Sequence, residues 1–212
     1  MKAEEPTAAP PIEGEPAADA PTDGRAARAV RTRGVIVDAL LELLEEGDLQ
    51  PTANRIAERA GISLRLIYHH FGDLEALFHA AAVRQGERTV AMTSHIAAEL
   101  PFDERLDQFV SQRCEILEWM TPVRRASLLQ EPFSEELRRA RDTGIAIGEE
   151  HAARVFAEEL SRVPPESRAA VRAAMGSVSG WAFWDSLRVS GRTFEEATAA
   201  MHYALDVLLR PE

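Results

Sequence analysis

The chain has 212 residues and a formal net charge of −11, with 24 Lys+Arg set against 35 Asp+Glu, a balance that argues at first sight against a nucleic-acid partner. Its length suits one large or two small domains, and a 45% hydrophobic fraction suffices for a packed core. One cysteine, Cys114, excludes an intramolecular disulfide and a cysteine-based zinc site, and no apolar run approaches the roughly 18 residues that cross a bilayer.

The charge is unevenly placed. Residues 1–24 sum to −5 and hold five prolines and six alanines, so they have little to bury and are expected to be disordered. Met1, Lys2, Ala3, Glu4 and Glu5 do not resemble a secretory signal, and a cytoplasmic protein with no membrane partner is expected. Arg25, Arg28, Arg31 and Arg33 then give +4 in nine residues, and −10 is left for residues 34–212. From Arg33 onward the spacing is helical. The first helix, about Val35 to Gly47, carries Ile36, Ala39, Leu40, Leu43 and Leu44 on one face. Thr52 caps a second, whose inner face is Ile56, Ala57 and Ala60. Gly61 breaks it, and Ser63 can cap a third from Leu64 to Phe71. Asp73 opens a longer helix to about Leu100.

Five further helices complete an all-α chain of about nine. One runs from about Asp103 to Met120, and Thr121-Pro122 reads as the cap and first position of the next. Ser134 opens a long helix to about Leu160, Pro164-Pro165 another to about Val189, and the capping box from Thr193 to Glu196 the last, to about Leu209. The expected organisation is a disordered acidic tail with a basic end over 1–28, a helix-turn-helix unit over 29–75 and a helical sensor and dimerisation unit over 76–212.

The informative segment is Thr52 to Phe71, two short helices around a glycine turn. At about 100° per residue, Ile67 and Phe71 share one side of the third helix with Leu64 beside them. Arg65 and His69 fall opposite, flanked by Leu66, Tyr68 and His70. Arg65 can donate to guanine edges or phosphate, the tyrosine and histidines to phosphate oxygens, and Leu66 can touch a thymine methyl. Spacing alone leaves an ordinary amphipathic helix pair equally open.

The run from Thr52 to Leu77, with its Ile-Ala…Ala-Gly-Ile-Ser core followed by Ile-Tyr-His-His-Phe and Glu-x-Leu, resembles the TetR family of bacterial transcriptional regulators, and the likeness extends back through the first helix. The resemblance implies phosphate contacts at Thr52, Tyr68 and His70 and a base-reading surface of Leu64, Arg65, Leu66 and His69, with Ser63 at its start. Two features depart from the family pattern: Arg65 and Leu66 stand where a small residue and threonine are common, and Leu74 stands where a phosphate-anchoring lysine is common. The arginines from Arg25 through Arg31 and Arg33 are the expected substitute, as an arm on phosphates or the minor groove. The expected partners are double-stranded operator DNA, a small-molecule inducer, and a second copy of the chain.

For that homodimer the last two helices suit the interface. Ala169, Ala170, Ala173, Ala174, Gly176, Gly180 and Ala182 permit close approach, and Ala197, Ala200, Met201, Ala204, Leu205 and Leu208 form a stripe. Candidate inducer contacts are Phe109, Arg113, Leu117, Met120 and Trp181. Arg113 interrupts an apolar stripe, and a buried guanidinium requires an anion: a ligand carboxylate or a protein acid such as Asp185. The alternatives to a repressor released by a ligand are weaker. Glu149-Glu150-His151 is not the zinc-protease pattern, Gly144 and Gly148 form no phosphate loop, and Cys114 has no activating base nearby in sequence. No enzyme, cofactor or metal is expected, and a helical protein-interaction module is the remaining alternative.

Overall fold

The computed structural model describes residues 22–210, and every regular element among them is an α-helix. The described elements are α1 (Thr22–Glu45), α2 (Ala53–Ala60), α3 (Leu64–Phe71), α4 (Leu74–Met92), α5 (Phe102–Gln130), α6 (Glu135–Val155), α7 (Ala157–Arg162), α8 (Pro165–Val178), α9 (Trp181–Val189) and α10 (Phe194–Leu209). They enclose two cores. The first gathers Ile36, Leu40, Leu43 and Leu44 of α1 with Ile56, Ile67, Phe71, Leu77, Phe78 and Ala81. The second gathers Leu106, Phe109, Cys114 and Leu117 with Phe156, Met175, Trp184, Met201 and Leu205.

Ten helices replace the expected nine, and the differences have physical causes. α1 opens at Thr22, so residues 22–28 are helical where a disordered segment was expected; residues 1–21 lie outside the described residues. Alanine and arginine are among the strongest helix formers, and residues 25–31 hold little else. α4 stops at Met92 rather than near Leu100. Thr89 and Thr93 turn their hydroxyls back onto the Gln85 and Thr89 carbonyls, and Pro101 disfavours helical backbone at Leu100. The segment between instead lays Ile96 into the second core.

Pro122, expected to start a helix, lies inside α5. An interior proline costs about 3 kcal/mol, and burying a side chain such as Val123 returns about 1.5–3 kcal/mol. Val123 and Ala126 both enter the first core, so the continuous helix is favoured. The helix expected to reach Leu160 breaks at Phe156, whose fully buried ring meets Phe109 edge-on at 5.2 Å. The Val155 carbonyl at that break accepts from Arg105 Nη1 at 2.5 Å, and the same guanidinium pairs with Glu159 at 2.6 Å. The helix expected over 165–189 divides at Ser179, whose hydroxyl donates to the Met175 carbonyl. The division turns both indoles onto α5: Trp181 Nε1 donates to Thr121 Oγ1 at 3.1 Å, and Trp184 Nε1 to Glu118 at 3.0 Å.

Candidate nucleic-acid interface

α2 begins at Thr52, whose hydroxyl accepts from the Arg55 amide at 3.3 Å, and it packs Ile56 and Ala57 inward. It ends at Gly61 with φ 64° and ψ 34°, a left-handed conformation that a Cβ would strain, and the Gly61 amide donates to the Ala57 and Glu58 carbonyls. Two residues later Ser63 is extended and α3 starts. Its hydroxyl makes no capping bond, contrary to the expected cap, and is left free at the exposed end of the helix.

α3 buries Ile67 completely and Phe71 nearly so. Leu64 does not join them: it is 37% exposed. Ser63, Leu64, Arg65, Tyr68 and His69 are exposed, with Leu66 and His70 partly covered. Arg65 has no ion-pair or hydrogen-bond partner among the described residues. Asp73 caps α4 by accepting from the Ala76 amide at 2.8 Å.

The basic island divides into two roles. Arg25, Arg28 and Arg31 are exposed along one side of α1, on a helix rather than a free arm. Arg33 is different. Its Nη1 donates to the His70 carbonyl at 2.6 Å, and its guanidinium lies 4.1 Å from the centre of the Phe71 ring. It therefore closes the C-terminal end of α3, where a cation complements the helix dipole. Three of the acids beside this unit, Glu42, Glu46 and Asp48, are engaged. Arg59 pairs with Glu46 at 2.6 Å and Glu42 at 3.4 Å, and Arg55 with Asp48 at 3.0 Å. The Arg59 hydrogen bond holds the Glu46 carboxyl below its usual range. Both α2 arginines are thereby neutralised, and the exposed side of α3 carries Arg65 as its free cation.

In the second core, Phe109 and Leu117 are buried, while Met120 and Trp181 are partly covered. Asp185 pairs with Arg125 at 2.8 Å, so it is not the partner of Arg113. Arg113 Nη2 instead donates to the Gly148 carbonyl at 3.2 Å and faces His151 Nδ1 at 3.3 Å, both on α6. Sequence spacing did not signal either partner, because both come from a helix 35 or more residues away. Burial pushes the Cys114 thiol up to about 11, and its sulfur lies 3.7 Å from Met201 Sδ, an inert packed thiol.

The stripe assigned to dimerisation is divided. Ala197, Met201 and Leu205 are fully buried in this chain's own core. The uncovered apolar positions include Ala169, Ala170 and Ala173 on α8, Ala182 and Val189 on α9, and Ala199, Tyr203 and Val207 on α10. Among the described residues, no helix is long and apolar enough to cross a membrane, and no group of three His, Cys, Asp or Glu side chains could hold a metal.

Residues 36–81 match the family model of bacterial regulatory proteins, tetR family. No curated protein matches the chain. Among solved structures, a transcriptional regulator from Rhodococcus sp. Rha1 aligns at 17% identity with a TM-score of 0.67, covering 84% of this chain and 96% of that one. A protein assigned as a transcriptional regulator from Pseudomonas aeruginosa PAO1 aligns at 19% identity and TM-score 0.62, covering 83% and 89%. A protein from Mesorhizobium loti assigned to the TetR family aligns at 16% identity and TM-score 0.61, covering 86% and 96%. At these identities the structures speak for the fold, and the family rests on the match over α1 to α4. Residues 36–81 are therefore similar to bacterial regulatory proteins of the tetR family, and the described chain shares its fold with the solved regulators.

Proposed function

We propose that this regulator is a homodimeric repressor that binds a palindromic operator through α2 and α3 and is released by a small molecule. The observation that carries the DNA-reading face is the division of α3: Ile67 and Phe71 fix it to the first core, while Ser63, Leu64, Arg65, Tyr68 and His69 stand free. In this reading Arg65 contacts a base edge. Leu66 and His69 lie beside it in the groove, and Thr52, Ser63, Tyr68 and His70 touch phosphates. Arg31 reaches the backbone from α1, and Arg33 supports α3 from behind.

One helix-turn-helix reads few base pairs, so two copies about 34 Å apart on one face of the duplex are needed. The uncovered positions Ala169, Ala173, Ala182, Val189, Tyr203 and Val207 support an interface on α8 to α10. The reader unit extends past residue 75, because Leu77, Phe78 and Ala81 complete its core. The sensor unit follows, with Phe109, Arg113, Leu117, Met120 and Trp181 around the ligand site. A ligand that prefers one spacing of the two readers shifts operator affinity by a coupling of about 1–3 kcal/mol.

Fluorescence anisotropy on duplexes from the DNA flanking the gene tests the reading. Arg65→Ala should weaken the preferred duplex by about 1–3 kcal/mol more than a scrambled one. Equal loss on both duplexes makes Arg65 a phosphate contact, and absence of binding by the wild type overturns the operator reading.

A further inference from the structure

Arg113 lies on α5 between Phe109 and Leu117, in the stripe that faces the second core. Its guanidinium sits 5.1 Å from the Phe109 ring centre. Only Nη2 is engaged, by a carbonyl and an imidazole nitrogen, and Nε and Nη1 donate to nothing among the described residues. No carboxylate lies within ion-pair distance of it among those residues, although every other arginine from Arg105 to Arg141 on α5 and α6, apart from Arg138, has one.

The surroundings hold this cation without neutralising it. Burial pushes the guanidinium down to about 10, so it is still charged at neutral pH. Burial, followed by the charges of Arg113 and Arg154, pushes His151 down to about 4, so the facing imidazole is neutral and brings no negative charge. Arg113 is half-buried, and a partly desolvated cation without a counter-ion carries a cost that methionine or leucine would not. Gly148 adds a second observation. A Cβ there would lie 3.2 Å from Arg113 Nη1, so the guanidinium rests directly against the bare backbone of α6.

We propose that Arg113 is the anion-binding residue of the ligand site, and that the effector is a monocarboxylate on an apolar body. This rests on the ligand-responsive reading above and names the ligand class for it. The guanidinium offers its unengaged Nη1 to the carboxylate as a charge-assisted donor, and the apolar body lies against Phe109 and its neighbours. A dianion such as a phosphate monoester is disfavoured, since one arginine and a neutral histidine leave its second charge buried and unpaired.

The test is isothermal titration calorimetry of the full chain with octanoate and phenylacetate, and with octanamide and phenylacetamide as neutral counterparts. At least one acid should bind, and its amide should bind about tenfold more weakly or worse. Arg113→Met should lose acid binding by about tenfold or more while keeping a cooperative unfolding transition. Arg113→Lys, which keeps the charge and loses the planar guanidinium donors, should lose it in part, and it carries the test if Arg113→Met does not fold. Failure of both acids to bind, equal binding of acid and amide, or undiminished acid binding by both variants overturns the proposal. Acid binding at Arg113 that leaves operator affinity unchanged supports the anion site and removes its regulatory role. Release of DNA by a neutral compound from wild type and Arg113→Met alike overturns the anion class and leaves the ligand-responsive reading in place.

Discussion

Arg33→Ala separates a structural arginine from a DNA-contacting one. In the folded chain Arg33 bonds the His70 carbonyl at 2.6 Å and lies 4.1 Å from the centre of the Phe71 ring. A cation at a helix C-terminus is worth about 0.3–1 kcal/mol, and an exposed cation–π contact about 0.5–1 kcal/mol. Because the two share one solvent-facing side chain, their sum is discounted to about 1 kcal/mol in total. Urea unfolding of the full chain should show the midpoint falling with an unchanged slope. Arg33→Lys should recover only part of this, since an ammonium lacks the planar face that stacks on Phe71. Operator affinity should fall modestly, as the last turn of α3 loosens around Tyr68 and His70, but its salt dependence should not change. The reasoning is refuted if stability is unchanged while the slope of log affinity against log salt becomes shallower by about 0.9, which is the mark of one lost phosphate contact.

Three further outcomes are expected. Replacing Arg25, Arg28 and Arg31 together by glutamine should make the same salt slope shallower, by up to about 2.7, with little effect on stability; an unchanged slope removes this side of α1 from the interface. Tyr203→Glu, at a position 71% exposed on α10, should shift sedimentation from dimer to monomer, and a dimer of undiminished affinity would place the interface elsewhere. His151 is held down at about 4 against an ordinary value of 6.5, so between those values the unfolded chain binds the proton and the folded chain does not. Its contribution is therefore complete above pH 6.5 and is lost as pH falls towards 4, by about 1–2 kcal/mol after discounting for partial exposure. Wild type should lose that much more stability than His151→Phe across the window, and parallel pH profiles would contradict the depressed value.

The parts of the fold legible in the sequence are those set by neighbours close along the chain. Ile56, Gly61, Ile67 and Phe71 fix the helix pair through periodicity and one left-handed turn, and the structure places each of them as that pattern requires. The errors arise where a distant group decides. Phe156 breaks a helix that local propensity would continue, because Arg105, 50 residues earlier, satisfies the Val155 carbonyl. Residues 165–189 divide because two indoles find hydrogen-bond acceptors on α5. Leu64 misleads as well, since a helical wheel shows which side a residue faces and not how far it is covered. For Arg113, the apolar stripe revealed its conflict with its surroundings but could not show that Asp185 would be taken by Arg125.

Continuity through Pro122 changes how the two halves of the chain are joined. α4 follows the reader directly in sequence, yet it ends at Met92 and its buried residues Leu77, Phe78 and Ala81 belong to the reader's core. α5 and α6 are each rooted in both cores: Leu117 of α5 and Ala152 of α6 pack in the second, and Val123 and Ala126 of α5 with Leu137 of α6 in the first. Arg113 and Val123 are ten residues apart on one helix, about 15 Å along its axis. Beyond them, Gln130 and Phe133 face Thr52, Leu74 and Phe78 across a cleft of about 360 Å³. A carboxylate drawn between Arg113 and α6 would therefore act on a rod whose far end lines the cleft beside the cap of α2 and the start of α4. Since packed interiors shift as units rather than deform continuously, a small rotation of α5 at Arg113 must be taken up where Val123 and Ala126 meet α4. That contact, rather than the length of α4, is where ligand and operator would compete for the position of α3.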